Sequence, residues 1–128
     1  MRVWWIVFLG AGAGGMLRHA VNTLSLRLAG PGFPWGTLLV NVVGSLLMGL
    51  IAGWFAFRGE GSQTWRLFLT TGVLGGFTTF SAFSLDAALL YERGAWGPLA
   101  FYVIGSVVIS LLALFAGLAL FRPLHGLP

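Results

Sequence analysis

The run from Gly72 to Ser84, Gly-Val-Leu-Gly-Gly-Phe-Thr-Thr-Phe-Ser-Ala-Phe-Ser, holds the densest group of residues able to do chemistry in this chain. Gly72, Gly75 and Gly76 each cost about 1 kcal/mol relative to Ala in a helix, and Thr78 and Thr79 can bond back to nearby carbonyls. That combination predicts an unwound turn inside an apolar segment. Backbone that leaves the helical ladder at membrane depth is tolerated only where it is buried in protein or lines a wet cavity, and transporters use such breaks to offer carbonyls to cations. The stretch is therefore the first candidate ion site. If the helix resumes after Thr79, Phe80 and Phe83 share one face. The two rings either pack there or turn their positively polarised edges toward an anion.

Polar side chains elsewhere are sparse enough to be read singly. Asn41 offers two donors and an acceptor, and serves either as pore lining or as glue between helices. Tyr102, Ser106 and Ser110 recur at intervals of four and form a polar stripe on a greasy segment, facing a partner helix or a hydrated path. Gly10, Gly14 and Arg18 repeat the same interval, so one face of the first segment is nearly bare backbone and allows close helix approach. An Arg within a span costs about 2.5 to 3.5 kcal/mol unless it snorkels or is paired. Arg18 thus either snorkels or holds a fixed positive charge for an anion at a pore mouth. His19 beside it reads as structural.

The elements that must position these residues follow from composition. Hydrophobic residues make up 58% of the 128-residue chain and charged residues 8%, against about 25% charged in a soluble domain. The expectation is one all-α membrane domain over residues 1–128, with four transmembrane helices near 3–28, 35–57, 65–90 and 96–120. Arg2, an apolar core and Ala11-Gly12-Ala13 imitate a signal peptide, but a retained first span is the preferred reading. Gly30 to Pro34, Arg58 to Thr64 and Tyr91 to Gly97 read as connections, and Phe121 to Pro128 as a short tail. Trp35 and Trp54 mark the ends of the second span as interfacial aromatics.

Several function classes are excluded. The seven basic residues are all Arg and lie apart from one another, which gives no basic patch for nucleic acid. Cys and Lys are absent. The three acids, Glu60, Asp86 and Glu92, sit in loops or near span ends, so paired-carboxylate and nucleophile-plus-base arrangements are missing. The chain does not read as an enzyme. A proton-coupled exporter would need a carboxylate within the membrane, and Asp86 is the one marginal candidate. A passive pathway fits better. No internal repeat is visible, so an inverted two-fold architecture would need two chains. The mild bias of Arg residues between the two sides is compatible with insertion in both orientations.

These motifs together resemble the Fluc (CrcB) fluoride channels, small four-helix bacterial membrane proteins, over essentially the whole chain. The segment Gly72 to Ser84 is similar to that family's third-helix signature, Gly36-Thr-Leu-Leu-Val-Asn-Val-Val-Gly-Ser45 to its second-helix motif, and Gly10, Gly14 and Arg18 to the pattern of its first helix. The resemblance implies an antiparallel, dual-topology homodimer in the bacterial cytoplasmic (inner) membrane, multi-pass, with two fluoride pores. It also implies a structural sodium ion at the two-fold axis, held by main-chain carbonyls of Gly75 and Thr78. Fluoride-facing rings would be Phe80 and Phe83, with a pore-lining amide at Asn41. Thr79, Ser81, Tyr102, Ser106 and Ser110 would continue the path, and Arg18 would stand in the vestibule. Two positions depart from the family's pattern: Ala82, where it usually has a hydroxyl, and His19, where it usually has Tyr. The alternative is a small multidrug resistance-type proton-coupled exporter, also short, four-helical and dimeric. Such proteins use a membrane-embedded Glu on the first helix, and this chain has no acid there.

Overall fold

A computed structural model describes residues 2–58 and 62–122. The polar loop around Glu60, the tail beyond Arg122 and the side chains of Arg2 and Arg58 lie outside the described residues. Helix α1 (Arg2–Ala29) stops at Gly30, whose φ of 77° is the left-handed conformation that ends helices. Pro34 leads into α2 (Trp35–Gly53), which runs on through a π-helical stretch, Trp54–Arg58. The third run opens with Ser62 as its cap, the hydroxyl accepting from the Trp65 N–H at 3.2 Å. This segment, α3, covers residues 63–77 and is π-helical over Phe68–Leu74. It stops at Thr78 and Thr79, and α4 (Phe80–Glu92) restarts beyond them. Gly94, with φ 71°, then turns the chain into α5 (Trp96–Phe121).

Three runs, Trp35–Phe57, Gln63–Glu92 and Trp96–Phe121, are long and apolar enough to cross a membrane. The first helix is just as long at 28 residues, and Arg18, His19 and Asn22 dilute its hydropathy. The chain is an all-helical, multi-pass membrane protein.

Bare backbone sets how the helices pair. Gly10 and Gly14 of α1 lie against Phe68, Gly72, Val73 and Phe77 of α3, so the two helices run parallel in close contact. A Cβ at Gly14 would collide with the Val73 carbonyl oxygen, and one at Gly76 with the Ala11 carbonyl oxygen. A second parallel pair forms where Gly49 and Gly53 of α2 meet Leu114, Gly117 and Leu118 of α5. Small residues are what such packing requires in lipid, where no hydrophobic force draws helices together and van der Waals contact must do so. The α1 glycines thus act in helix approach, and α1 packs into the body of the chain as a retained span does.

The break in the third run is narrower than the sequence predicts. Gly72, Gly75 and Gly76 remain helical; α1 fills the space beside Gly72 and Gly76, and Gly75 is exposed. Only Thr78 (φ −87°, ψ 159°) and Thr79 (φ −156°, ψ 123°) are extended. Thr78 follows the back-bonding expected of it, its hydroxyl donating to the Leu74 carbonyl at 2.9 Å.

Adding a methyl group at Gly14 or Gly76 should therefore separate α1 from α3. Overpacking of this kind costs about 1 to 3 kcal/mol. Gly14→Ala and Gly76→Ala are expected to lower the melting temperature of the purified protein by several degrees in thermal unfolding. Gly12→Ala, where an added Cβ would meet nothing within 4 Å, is expected to leave it unchanged or slightly raised.

Candidate ion pathway

Ending a helix inside the membrane strands the backbone groups of its last and first turns, and no water is present there to satisfy them. Three side chains do so here. The Asn41 amide makes two bonds to one residue: Nδ2 donates to the Thr79 carbonyl at 3.0 Å, and Oδ1 accepts from the Thr79 N–H at 2.8 Å. Thr79 in turn caps α4, its Oγ1 accepting from the Ala82 N–H at 3.1 Å. From α1, the half-buried Arg18 donates through Nε to the Gly76 carbonyl at 3.1 Å. A cation at the C-terminal end of α3 also meets the negative end of that helix's dipole.

Beside this junction a cleft of about 320 Å³ opens between α2, the break, α4 and α5. It gathers Asn41, Thr78, Thr79, Phe80, Phe83, Ser106 and Ser110, with Gly44, Ser45, Met48, Val107 and Leu114 completing its wall. The Phe80 and Phe83 rings stand 5.6 Å apart at 41°, and Phe80 is 78% exposed. In the same wall, the buried hydroxyls of Ser106 and Ser110 have no hydrogen-bond partner among the described residues. A buried, unpaired hydroxyl is costly, and water or an ion in the cleft is a partner that would satisfy it. The lining thus combines hydroxyl groups, two aromatic rings and the Asn41 amide, and among the described residues it contains no ionisable side chain.

The family described as "CrcB-like protein, Camphor Resistance (CrcB)" matches residues 5–118. The chain belongs to the CrcB family. A protein named fluoride-specific ion channel FluC from Rhodopseudomonas palustris (strain BisB5) is 65% identical over 117 residues, which cover 91% of this chain and 94% of that one. Another, named fluoride-specific ion channel FluC 2, from Nitrobacter hamburgensis, is 63% identical over 93% of this chain and 96% of its own. A third, from Methylobacterium nodulans, is 59% identical over 91% and 94%. As a CrcB protein the chain is of a channel family rather than an enzyme, and membership sets aside the small multidrug resistance reading.

Within this CrcB chain, the cleft does not collect every residue singled out from the sequence. Ser81 is exposed and outside the lining, with its Oγ 3.4 Å from Thr79 Oγ1. Tyr102 is fully buried one ring behind Phe83, centroid to centroid 5.1 Å, and its hydroxyl donates to Asp86 Oδ2 at 3.1 Å. The serine stripe therefore reaches the cleft while its tyrosine turns toward the α2–α4 side. Arg18 is also outside the lining. Ala82 gives its N–H to Thr79 and faces a separate hollow shared with Asp86. His19 is exposed at the surface of α1.

Sequence reasoning passed over Gly44, Ser45 and Met48. Their spacing from Asn41, at i+3, i+4 and i+7, places them on the same helical face, and that signal would have found them. Gly44 lets Thr78 approach, since a Cβ there would collide with Thr78 Cγ2. The Asp86 partnership with Tyr102 was also missed and has no sequence signal, because it depends on how α4 and α5 face each other.

The Asn41 clasp makes a clear expectation. Asn41→Ala leaves both the Thr79 N–H and carbonyl without partners, at about 1 to 3 kcal/mol for each buried group. Asn41→Asp, in the neutral form favoured at membrane depth, keeps an acceptor for the Thr79 N–H and an O–H donor for the carbonyl, in a less matched geometry than the amide. Thermal unfolding should rank the proteins wild type, then Asn41→Asp, then Asn41→Ala. An Asn41→Ala protein as stable as wild type would mean that the clasp contributes nothing.

Proposed function

We propose that this protein is a fluoride-selective channel that lets fluoride leave the cell passively across the bacterial inner membrane. The observation that carries the reading is the cleft itself: two serine hydroxyls without partners among the described residues share its wall with two phenylalanine rings beside a capped helix break. Fluoride is small and holds its water tightly, so a pore must replace hydration with positively polarised groups. Hydroxyl and amide hydrogens and aromatic ring edges are such groups. The N-terminal turn of α4, which carries Phe80 and Phe83, adds the positive end of a helix dipole. A wall with no fixed countercharge binds an anion weakly at successive points and lets it move on. The names of the relatives, fluoride-specific ion channels, agree with this reading.

Fluoride efflux from liposomes tests it. Replacing Phe80 or Phe83 by Ile keeps most of the buried apolar area and removes the ring edge. Phe80→Ile, Phe83→Ile and the double variant Ser106→Ala with Ser110→Ala are each expected to cut fluoride efflux by tenfold or more, with wild-type gel-filtration profiles. Chloride leak should stay at the background of empty liposomes throughout. Well-folded Ile variants with undiminished fluoride flux would sink the ring-edge mechanism, and a wild-type protein passing chloride as readily would sink the selectivity.

The working unit in this proposal is an antiparallel homodimer of dual topology with a structural sodium ion at its centre. Support for a main-chain cation site comes from where the N–H groups go. A continuous helix would give the Thr79 N–H to the Gly75 carbonyl and the Ala82 N–H to the Thr78 carbonyl. Those donors are instead directed to Asn41 Oδ1 and Thr79 Oγ1. Sodium at these carbonyls would supply the positive charge that the diverted donors no longer do. Gly75 lies at the chain's surface, where a second copy could bring matching oxygens. Exchange of sodium for a large organic cation is expected to lower the dimer fraction or stop flux. Reporters fused to the C-terminus are expected to be active on both sides of the membrane, and activity on one side alone would rule out dual topology.

A further inference from the structure

We propose that an anionic phospholipid binds in the groove at the end of the molecule where α2 and α5 finish and α3 begins. The groove has a volume of about 400 Å³ and shares no lining residue with the ion cleft. Leu50, Trp54 and Phe55 line it from α2, Trp65 and Leu69 from α3, and Phe121 from α5. This wall is apolar throughout, as an acyl chain requires. Trp65 is 60% exposed and Trp54 38%, and both sit at span ends, where indole rings favour the headgroup level of a bilayer. Both helices that supply the tryptophans are π-helical at the groove, over Trp54–Arg58 and Phe68–Leu74. Such bulges are rare and cluster at functional sites. A widened turn on each side also gives a reason for the gap between the helices.

Charge selects the occupant. Arg122 directly follows Phe121, and its guanidinium lies over the Phe57 ring at 5.9 Å from the centroid, one turn beyond Trp54. Arg66 follows Trp65, lies three residues before Leu69 and is exposed. Two cations thus directly follow residues of the groove wall, Arg66 after Trp65 and Arg122 after Phe121, at span ends where indole rings favour the headgroup level. Among the described residues no acid belongs to the groove wall. Basic sites between transmembrane helices capture anionic headgroups in this way, and a lipid with a neutral headgroup would gain only from the groove.

The test uses the full chain in liposomes of phosphatidylcholine and phosphatidylglycerol in which one or the other lipid carries brominated acyl chains. Bromine quenches tryptophan on contact, and the part of the quenching lost in Trp65→Phe reports the groove. Brominated phosphatidylglycerol is expected to quench this signal at lower mole fraction than brominated phosphatidylcholine, by about fivefold for each arginine engaged. Arg66→Gln combined with Arg122→Gln should bring the two lipids to equality, while Arg66→Lys with Arg122→Lys should keep the preference. Equal quenching of the wild type by both lipids would overturn the proposal. So would quenching by neither, which would mean that the groove is closed or covered by a second copy. A preference that persists in a folded double-Gln variant would overturn it as well. The wild-type comparison stands even if that variant fails to fold. Because the readout is fluorescence and not flux, its failure is separate from failure of the channel reading.

Discussion

Everything near the centre of this protein depends on two hydrogen bonds between the Asn41 side chain and the backbone of Thr79. Inside a bilayer an interrupted helix has no water to turn to, and each stranded N–H or carbonyl group costs several kcal/mol. A primary amide is the one uncharged side chain that can donate and accept at once in a nearly planar pair, so Asn41 substitutes for a neighbouring strand. Thr79 closes the next gap with its own hydroxyl, and Arg18 reaches the Gly76 carbonyl from the other side. The break is held from α1, from α2 and from within. Without these contacts, residues 78 and 79 would gain by rejoining the helix.

The partners come within reach because the glycines bring backbones together. Gly10 and Gly14 set α1 against α3 closely enough for the Arg18 side chain to meet a main-chain oxygen. Gly44 admits Thr78 beside Asn41. The sequence marks the glycines of the third run as agents of unwinding, yet they stay helical, Gly72 and Gly76 serve packing against α1, and the unwinding falls on the two threonines. Flexibility and close approach draw on the same missing side chain, and a neighbouring helix decides which of the two is used.

The polar groups of the interior divide by whether the fold satisfies them. Asn41, Thr78, Thr79, Arg18 and Tyr102 all find partners within the chain. Among the described residues Ser106 and Ser110 find none. That difference separates side chains that build the site from those left open to an occupant. Asn41, which the sequence leaves open as lining or helix glue, gives both bonds to Thr79 and also stands in the cleft wall.

By itself, the sequence determined what a one-dimensional pattern can carry. Apolar runs of bilayer length require helices, Gly and Pro punctuate them, and the scarcity of acids and the lack of Cys and Lys exclude most catalysis. The i, i+4 spacing put Ser106 and Ser110 on one face, and the threonine pair marked where the third helix would yield. Only the tertiary structure decided which face meets which. Asn41 and Thr79 are 38 residues apart, and Arg18 and Gly76 are 58 apart. Tyr102 left the serine stripe for Asp86 although its spacing continues that stripe. Periodicity fixes a side chain's direction about its own helix axis. The neighbour it meets depends on the rotation and depth at which helices pack, and those are set by backbone contacts between residues distant in the chain.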